Sequence, residues 1–475
     1  MKMHFRKLFF FGVCGSAVLP AVEVIAQKRP NILFVMTDQQ SYQMMSCMGN
    51  KYLHTPAMDK LAQEGYRFDK TYCVNPVSVP SRFSLMTGRY ASEIGVKSNS
   101  KKFDREKLRE ITPYSLGNIF SKAGYDAYYA GKTHLYTNDS DKDYGFNILT
   151  TDPYEGCAEA AESFLQNRSR NDKKPFFLFL SFLNPHDICY DAGLDPRYPD
   201  KLKPEYIRAT EKFLAYKNTL SEEEYLRQVP PVIPNEAPIV TDSSDPESLP
   251  ASWLKETGSG YQRWTDTEKG LYRWMYCRLT ESVDHLIGRA ISALEKSGLD
   301  ENTIIVFTSD HGELLGAHGL VSKSAMLEEC QRVPLIFKGK GILSGKTDPN
   351  TLACNGLDLL PTLCDLADIT VPEDLQGISL KPYITGKKRT GKREFIVTEN
   401  FNGYQIHDGR HKLSVYEYEG NPMLLTDISK DSLETKNLLN DPAYQKVKAK
   451  LVEKLNAHLS DRGLLPLEQR VRKKK

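Results

Sequence analysis

Two apolar runs of this 475-residue chain end in a carboxylate: NILFVMTDQQ (31–40) at Asp38 and TIIVFTSDHGE (303–313) at Asp310. A carboxylate closing a buried strand is costly when alone, so each needs a cation or strong hydrogen bonds. A divalent metal satisfies both, and Gln39 and His311 beside them can complete its shell. Oxygen donors predominate, which favours calcium or magnesium over zinc. The plainer alternative is that each aspartate caps a following helix. A third stretch, VNPVSVPSRFSLMTGRY (74–90), sets the hydroxyl of Ser78 shortly before Pro80 and Arg82. Pro80 pushes Val79 toward an extended conformation and suits the first position of a helix, while Gly88 suits its C-terminal cap. Ser78 is therefore expected just outside a helix N-terminus, where free N–H groups and the helix dipole draw an anion. Arg82, one turn later, leans back within reach of the Ser78 hydroxyl.

Cations accompany these groups. Lys132 and His134 close YDAYYAGKTH (125–134), His186 closes PFFLFLSFLNPHD (175–187), and Lys323 lies in HGLVSKSAMLEE (318–329). Singly, each has an ordinary reading as a solvated lysine or a structural histidine. Together, around a metal and a helix N-terminus, they form an electropositive pocket for a tetrahedral oxyanion.

The elements that must hold these residues follow from the pattern. Near-continuous apolar runs are what a parallel sheet covered on both faces requires. Helical patterns separate them at TPAMDKLAQEG (55–65), SLGNIFSKAG (115–124) and 265–297, the last ended by Gly298. This alternation predicts an α/β fold, a doubly wound, mostly parallel sheet flanked by helices, with ligands bound outside the carboxyl ends of the strands. The polar clusters then share one rim. Residues 190–262, rich in proline and charge and poor in periodicity, read as a long insertion over that rim. Beyond about residue 385, REFIVTEN, GYQIHDG, HKLSVYEYEG and PMLLTD read as short strands, followed by a helix over 443–460. The expected division is thus a catalytic unit over 27–385 and a smaller α+β unit over 386–475. Tyr128, Tyr129 and His285 are read as packing residues.

Composition sets the remaining bounds. With 40% hydrophobic residues, 26% charged residues and a formal charge of +2, the chain has a large core and no electrostatic footprint for nucleic acid. RVRKKK (470–475) reads as a solvated tail. Lys2, Arg6 and Lys7 precede an apolar run over 8–22, and VIA (24–26) suits a signal peptidase, so residues 1–26 read as a cleaved signal peptide. The run is too short, and broken by Pro20, for a spanning helix. The cysteines form no C-x-x-C pair, and nothing in their spacing dictates disulfides.

Ser78-Val79-Pro80-Ser81-Arg82, followed by TGRY, resembles the signature of the type I sulfatases of the alkaline phosphatase superfamily, in the form that carries serine where others carry cysteine. The resemblance extends to PNILFVMTDQQ, GYDAYYAGKTH, NPHD, FTSDHGE and LLTDISKDSLETKNL, spanning Pro30 to about Asn440. It implies an alkaline-phosphatase-like fold and the oxidation of Ser78 to formylglycine (3-oxoalanine) by a maturase of the anaerobic radical type, acting before folding. It also implies a calcium ion, with magnesium as the alternative, held by Asp38, Gln39, residue 78, Asp310 and His311. Arg82 and the metal would lower the pKa of one geminal hydroxyl, Lys132 and Lys323 would hold the sulfate, and His186 would protonate the leaving oxygen. His134 would then take the proton of the second hydroxyl as sulfate departs. Gln39 and His311 stand where many members carry aspartate and asparagine. In the family the smaller unit borders the pocket, which would let His407 and Arg410 touch substrate. The implied protein is an exported, periplasmic bacterial sulfatase acting on sulfated carbohydrate, such as glycosaminoglycan or mucin-type fragments, without stable membrane insertion. The rivals are a phosphomonoesterase or phosphodiesterase of the same superfamily, and a catalytically silent glycan-binding homologue whose Ser78 is never converted.

Overall fold

The computed structural model describes residues 29–100, 102–191, 204–237, 261, 264–387, 393–401, 403–416 and 422–467. The expected signal peptide, 1–26, lies outside them. Eight strands form one sheet: β1 (Asn31–Asp38), β2 (Tyr66–Tyr72), β3 (Asp126–Gly131), β4 (Asn147–Thr150), β5 (Phe176–Pro185), β6 (Thr303–Ser309), β7 (Leu335–Lys338) and β8 (Lys346–Cys354), in the order β4-β3-β5-β1-β6-β7-β2-β8. Pairing is parallel throughout except at β7, which runs antiparallel to both neighbours. The four runs anticipated as strands are β3, β5, β1 and β6, which stand side by side at its centre.

Their apolar continuity has the expected cause. Every residue of β1, β5 and β6 is buried, because helices cover both faces. On one face Leu33 and Val35 of β1 pack with Leu61, Leu165, Ile287 and Ile291, from the helices Pro56–Glu64, Glu155–Gln166 and Asp266–Ser297. On the other, Ile32, Phe34 and Met36 pack with Leu85, Phe120 and Leu363, from Ser78–Thr87, Leu116–Lys122 and Asn355–Leu366. Alternate residues of one strand thus serve two separate cores. The long helix begins with a capping box, Thr265 with Glu268, and stops at Gly298, whose φ of +68° suits glycine.

Register places the polar strand ends. β1 and β6 pair without a break from Asn31↔Thr303 to Thr37↔Ser309, so Asp38 and Asp310 emerge at one level. β3 pairs with β5 as far as Gly131↔Ser181, and Lys132 leaves the sheet beside them.

The C-terminal sheet is antiparallel, in the order β12-β11-β10-β9, from β9 (Ile396–Asn400), β10 (Gly403–His407), β11 (His411–Tyr416) and β12 (Pro422–Asp427). The helix Gln445–Asp461 lays Leu451, Leu455 and Leu459 against it. β9 joins the larger body: Glu399 N–H donates to Val74 O (2.8 Å) and Asn400 Nδ2 to Ser324 O (2.7 Å). Within the insertion, where periodicity was poor, the structure has helices Pro204–Lys217 and Glu222–Gln228, the second opened by a Ser221–Glu224 capping box. Its following segment is pinned by buried Asn235, whose Nδ2 donates to Glu329 Oε1 (2.7 Å) and Leu433 O (3.1 Å). All eight described cysteines are free. Among the described residues no helix is long and apolar enough to cross a membrane.

Candidate active site

The helix Ser78–Thr87 is buried along its whole length, although it carries an arginine. Val77 is its extended N-cap (φ −142°), and Gly88 (φ +67°) closes it by donating to Ser84 O. Ser78 is therefore the first residue of the helix rather than the residue outside it. Pro80 sits two positions further in than expected, at no cost, since N–H groups of the first turn have no helical partner to lose.

Arg82 is the hub. Its Nη2 donates to Asp38 Oδ2 (2.7 Å), Nε to Asp310 Oδ2 (2.9 Å), and Nη1 to Lys132 O (3.0 Å) and Ser181 Oγ (2.8 Å). The guanidinium is thus spent on two carboxylates and does not reach back to Ser78, because ionised acceptors outbid a hydroxyl. Ser78 Oγ instead lies 2.9 Å from His311 Nε2. His311 Nδ1 is 3.0 Å from Gly312 O; an N–H there leaves Nε2 with its lone pair toward residue 78. Burial holds the ring's pKa below the usual histidine value, consistent with that neutral form.

Lys132 Nζ also donates to Asp38 Oδ2, at 2.6 Å. Burial by itself would raise the Asp38 pKa, but Lys132, His186 and Arg82 hold it well below the usual carboxylate range. Burial in turn lowers Lys132. One oxygen of Asp38 thus carries two cations while the other, Oδ1, is buried without a hydrogen-bond partner. Asp38, Asp310 and His311 can present ligand atoms that all lie within 4.8 Å of one another. Two carboxylates, an imidazole lone pair and an orphaned carboxylate oxygen fit a divalent cation, with Ser78 alongside.

Gln39 follows Asp38 with a φ of +66°, a strained conformation for a residue with a side chain. Its N–H donates to Asp310 Oδ1 (3.0 Å), and its Oε1 accepts from Lys323 Nζ at 2.7 Å. Its Nε2 donates to Glu313 Oε2 and to Cys189 Sγ. Burial of the imidazole, then the charges of Lys132 and Lys323, push His186 well below the usual histidine value. Burial of the imidazole, then the charges of Lys132 and Arg82, bring His134 to about 3, although the residue as a whole is exposed. The structure therefore draws Asp38, Gln39, Ser78, Arg82, Lys132, His134, His186, Asp310, His311 and Lys323 into one connected electrostatic cluster. His407 is buried against the Tyr72 ring, and Arg410 pairs with Asp427; neither joins the cluster through any contact among the described residues. His285 is exposed, and Tyr129 packs on Phe179 as expected.

Sequence reasoning missed Ser181, Glu313, Tyr272, Tyr276 and Cys189. Ser181 carried a usable signal, a hydroxyl inside an otherwise apolar run. The tyrosines reach in from the long helix: Tyr272 OH donates to Glu313 Oε1 (2.9 Å), and Tyr276 OH to Gln39 O (2.5 Å). Nothing in local spacing announces them.

Chemically, the arrangement is an anion cradle built about a hydroxyl at a helix start, with ligands for a cation on one side and lysines and histidines around it. A family model described as Sulfatase matches residues 30–369, and one described as N-sulphoglucosamine sulphohydrolase, C-terminal, matches residues 316–461. An N-acetylglucosamine-6-O-sulfatase of Bacteroides thetaiotaomicron is 32% identical over 421 residues, covering 76% of this chain and 72% of that protein. A Delta 4,5-hexuronate-2-O-sulfatase of the same organism is 29% identical, covering 92% and 89%. A solved 2-O GAG sulfatase superposes with a TM-score of 0.75 at 28% identity, over 91% of this chain and 92% of the other. The chain belongs to the sulfatase family, enzymes that hydrolyse sulfate esters.

Proposed function

We propose that this sulfatase is exported to the bacterial periplasm and acts on sulfated carbohydrate of the glycosaminoglycan or mucin type. In this reading its nucleophile is residue 78, converted from serine to formylglycine by a maturase that meets the unfolded chain. The observation that carries the reading is Ser78 Oγ at a helix start, 2.9 Å from His311, beside the orphaned Oδ1 of Asp38. Support for the substrate class comes from the two relatives named for hexosamine and hexuronate sulfates. Support for export comes from the basic and then apolar pattern of residues 1–26. The division into a catalytic unit over 27–385 and a smaller unit over 386–475 is part of the same proposal.

A calcium ion held by Asp38, Asp310, His311 and residue 78 would supply Lewis acidity to that hydroxyl and to the sulfate oxygens. The hydrated aldehyde supplies a second hydroxyl, through which residue 78 is regenerated. Arg82 fixes the two carboxylates at their spacing. Lys132 and Lys323 place positive charge where the sulfate oxygens bind. His186 is the proton donor to the leaving oxygen; a bound sulfate ester offsets the charge of the lysines, which restores the proton affinity they remove. His134 is neutral at ordinary pH, and a bound sulfate ester, by offsetting the charges of Lys132 and Arg82, raises its proton affinity so that it can take the proton of the second hydroxyl.

The test is the mass of the residue-78 peptide, expected two hydrogens lighter than serine in the mature enzyme, combined with turnover of defined sulfated saccharides before and after chelation. Sulfate release that depends on both the lighter mass and a divalent ion is expected. Release from an enzyme whose Ser78 is unmodified, or phosphate-ester turnover exceeding sulfate-ester turnover, overturns the proposal.

A further inference from the structure

Gln39 was expected among the metal ligands, yet its side chain is already engaged at both ends. Lys323 can only donate, so the atom facing its Nζ at 2.7 Å must be the amide oxygen. The Glu313 carboxylate, when ionised, can only accept, so the atom facing its Oε2 must be the amide nitrogen. Cys189 Sγ, at 3.0 Å from the nitrogen and 3.2 Å from the oxygen, closes the remaining side. Glu313 is itself fixed by three further donors: Tyr272 OH (2.9 Å), Leu315 N–H (3.1 Å) and Ser322 N–H (2.6 Å). Ser322 directly precedes Lys323 and has a φ of +69°. One buried carboxylate therefore governs Lys323 from two directions, through the backbone before it and through the amide that receives its ammonium.

We propose that Gln39 is a clamp for Lys323 rather than a side-chain ligand of the metal, and that Glu313 is the positioning residue that sets the clamp. The metal is then held by Asp38, Asp310, His311 and residue 78, and aspartate-to-glutamine at position 39 converts a ligand position into a lysine holder. Replacing Glu313 by an amide puts N–H groups against donors, and relief by turning over the Gln39 amide brings its NH₂ group against Lys323. Lys323 then leaves its station while the metal ligands keep theirs. The inference rests on Lys323 being a sulfate-binding group.

The test uses the full chain with Ser78 unmodified, so that binding is read without turnover. Calcium binding, and inorganic sulfate binding to the calcium-loaded protein, are measured by titration calorimetry for wild type, Glu313→Gln, Tyr272→Phe, Gln39→Leu and Lys323→Ala. Glu313→Gln is expected to weaken sulfate about tenfold, the loss of one well-placed charge-assisted contact, with calcium affinity within about twofold of wild type. Tyr272→Phe, the milder change, is expected to weaken sulfate in the same sense. In the Lys323→Ala background Glu313→Gln adds no further loss, because the two act through one group. Two results would overturn the proposal: a calcium affinity weakened tenfold or more by Gln39→Leu, or sulfate affinity unchanged in both Glu313→Gln and Tyr272→Phe. Should wild type bind calcium but not sulfate, the sulfate-binding role of Lys323 fails first and the inference with it.

Discussion

The rim of the large sheet and the seam between the two sheets both bury charge, and they finish the task differently. At the seam, Lys412 Nζ meets Glu328 Oε1 (3.2 Å) and Glu434 (3.0 Å). Glu434 also accepts from Thr426 Oγ1 and Glu328 N–H, and Glu328 Oε2 accepts from Tyr72 OH. Both oxygens of each of these two carboxylates have a partner. At the rim, Asp38 carries Arg82 and Lys132 on one oxygen and leaves the other orphaned. Both sets bear the cost of desolvation, but of the three carboxylates Asp38, Glu328 and Glu434 only Asp38 leaves an oxygen unspent. The closed pair ties elements together; the open oxygen of Asp38, with Asp310 and His311 close by, fits a cation.

The largest effect that could break this contrast is at residue 78. Ser78→Ala should lower sulfate-ester turnover by about 10⁶-fold, as loss of a nucleophile does elsewhere, with the denaturant midpoint of unfolding close to that of wild type. A large loss of stability would instead make the rim a structural device. Lys412→Met comes next. It strands two buried carboxylates and should cost about 3–5 kcal/mol in denaturant unfolding, while kcat of the molecules that remain folded is little altered. His186→Ala should lower kcat by roughly 10²–10⁴-fold, and by less for aryl sulfates, whose leaving oxygen needs a proton less; equal losses on both substrate types would remove the proton-donor assignment.

The smallest effect lies where the C-terminal helix meets the larger unit. Burial, then Arg462, bring His458 to about 4, with its ring edge-on to Tyr90 and Phe395. Its folded pKa lies below the unfolded value, so the unfolded chain takes up the proton first as pH falls. Its contribution is complete above about pH 6.5 and is lost progressively toward pH 4. Wild type should therefore lose on the order of 1–2 kcal/mol from this group between pH 7 and pH 5. His458→Phe should flatten that part of the profile in urea unfolding at the two pH values; identical profiles would locate the acid sensitivity elsewhere.

What was legible in the sequence followed from burial. β1, β3, β5 and β6 announce themselves because a strand covered on both faces must be apolar nearly throughout, and their polar ends mark the rim by simple interruption. β2, β4, β7 and β8 were not foreseen. β2 alternates buried and half-buried residues, β4 and β7 are four residues long, and β8 carries Pro349 and exposed residues at an edge of the sheet. The clustering of the candidate metal ligands and cations was legible because their chemistry is unusual at strand ends. Glu313 stood in plain view in SDHGE, but its meaning depends on Tyr272 and Ser322, and no local pattern links those to it. The direction of Arg82 was misjudged for a related reason: its choice between a nearby hydroxyl and two distant carboxylates is settled by folding, not by spacing along a helix.

The unbroken pairing of β1 with β6 has one more consequence. Were the two strands to mate two residues out of step, each side chain would still face its proper layer, so apolar packing alone would tolerate the error. The carboxylates at 38 and 310, however, would separate by roughly 7 Å, and a single guanidinium could no longer touch both. Arg82 would be entombed with half its countercharge missing. The rim cluster thus doubles as a proofreader of strand alignment, rejecting a misthreaded sheet that greasy contacts would accept.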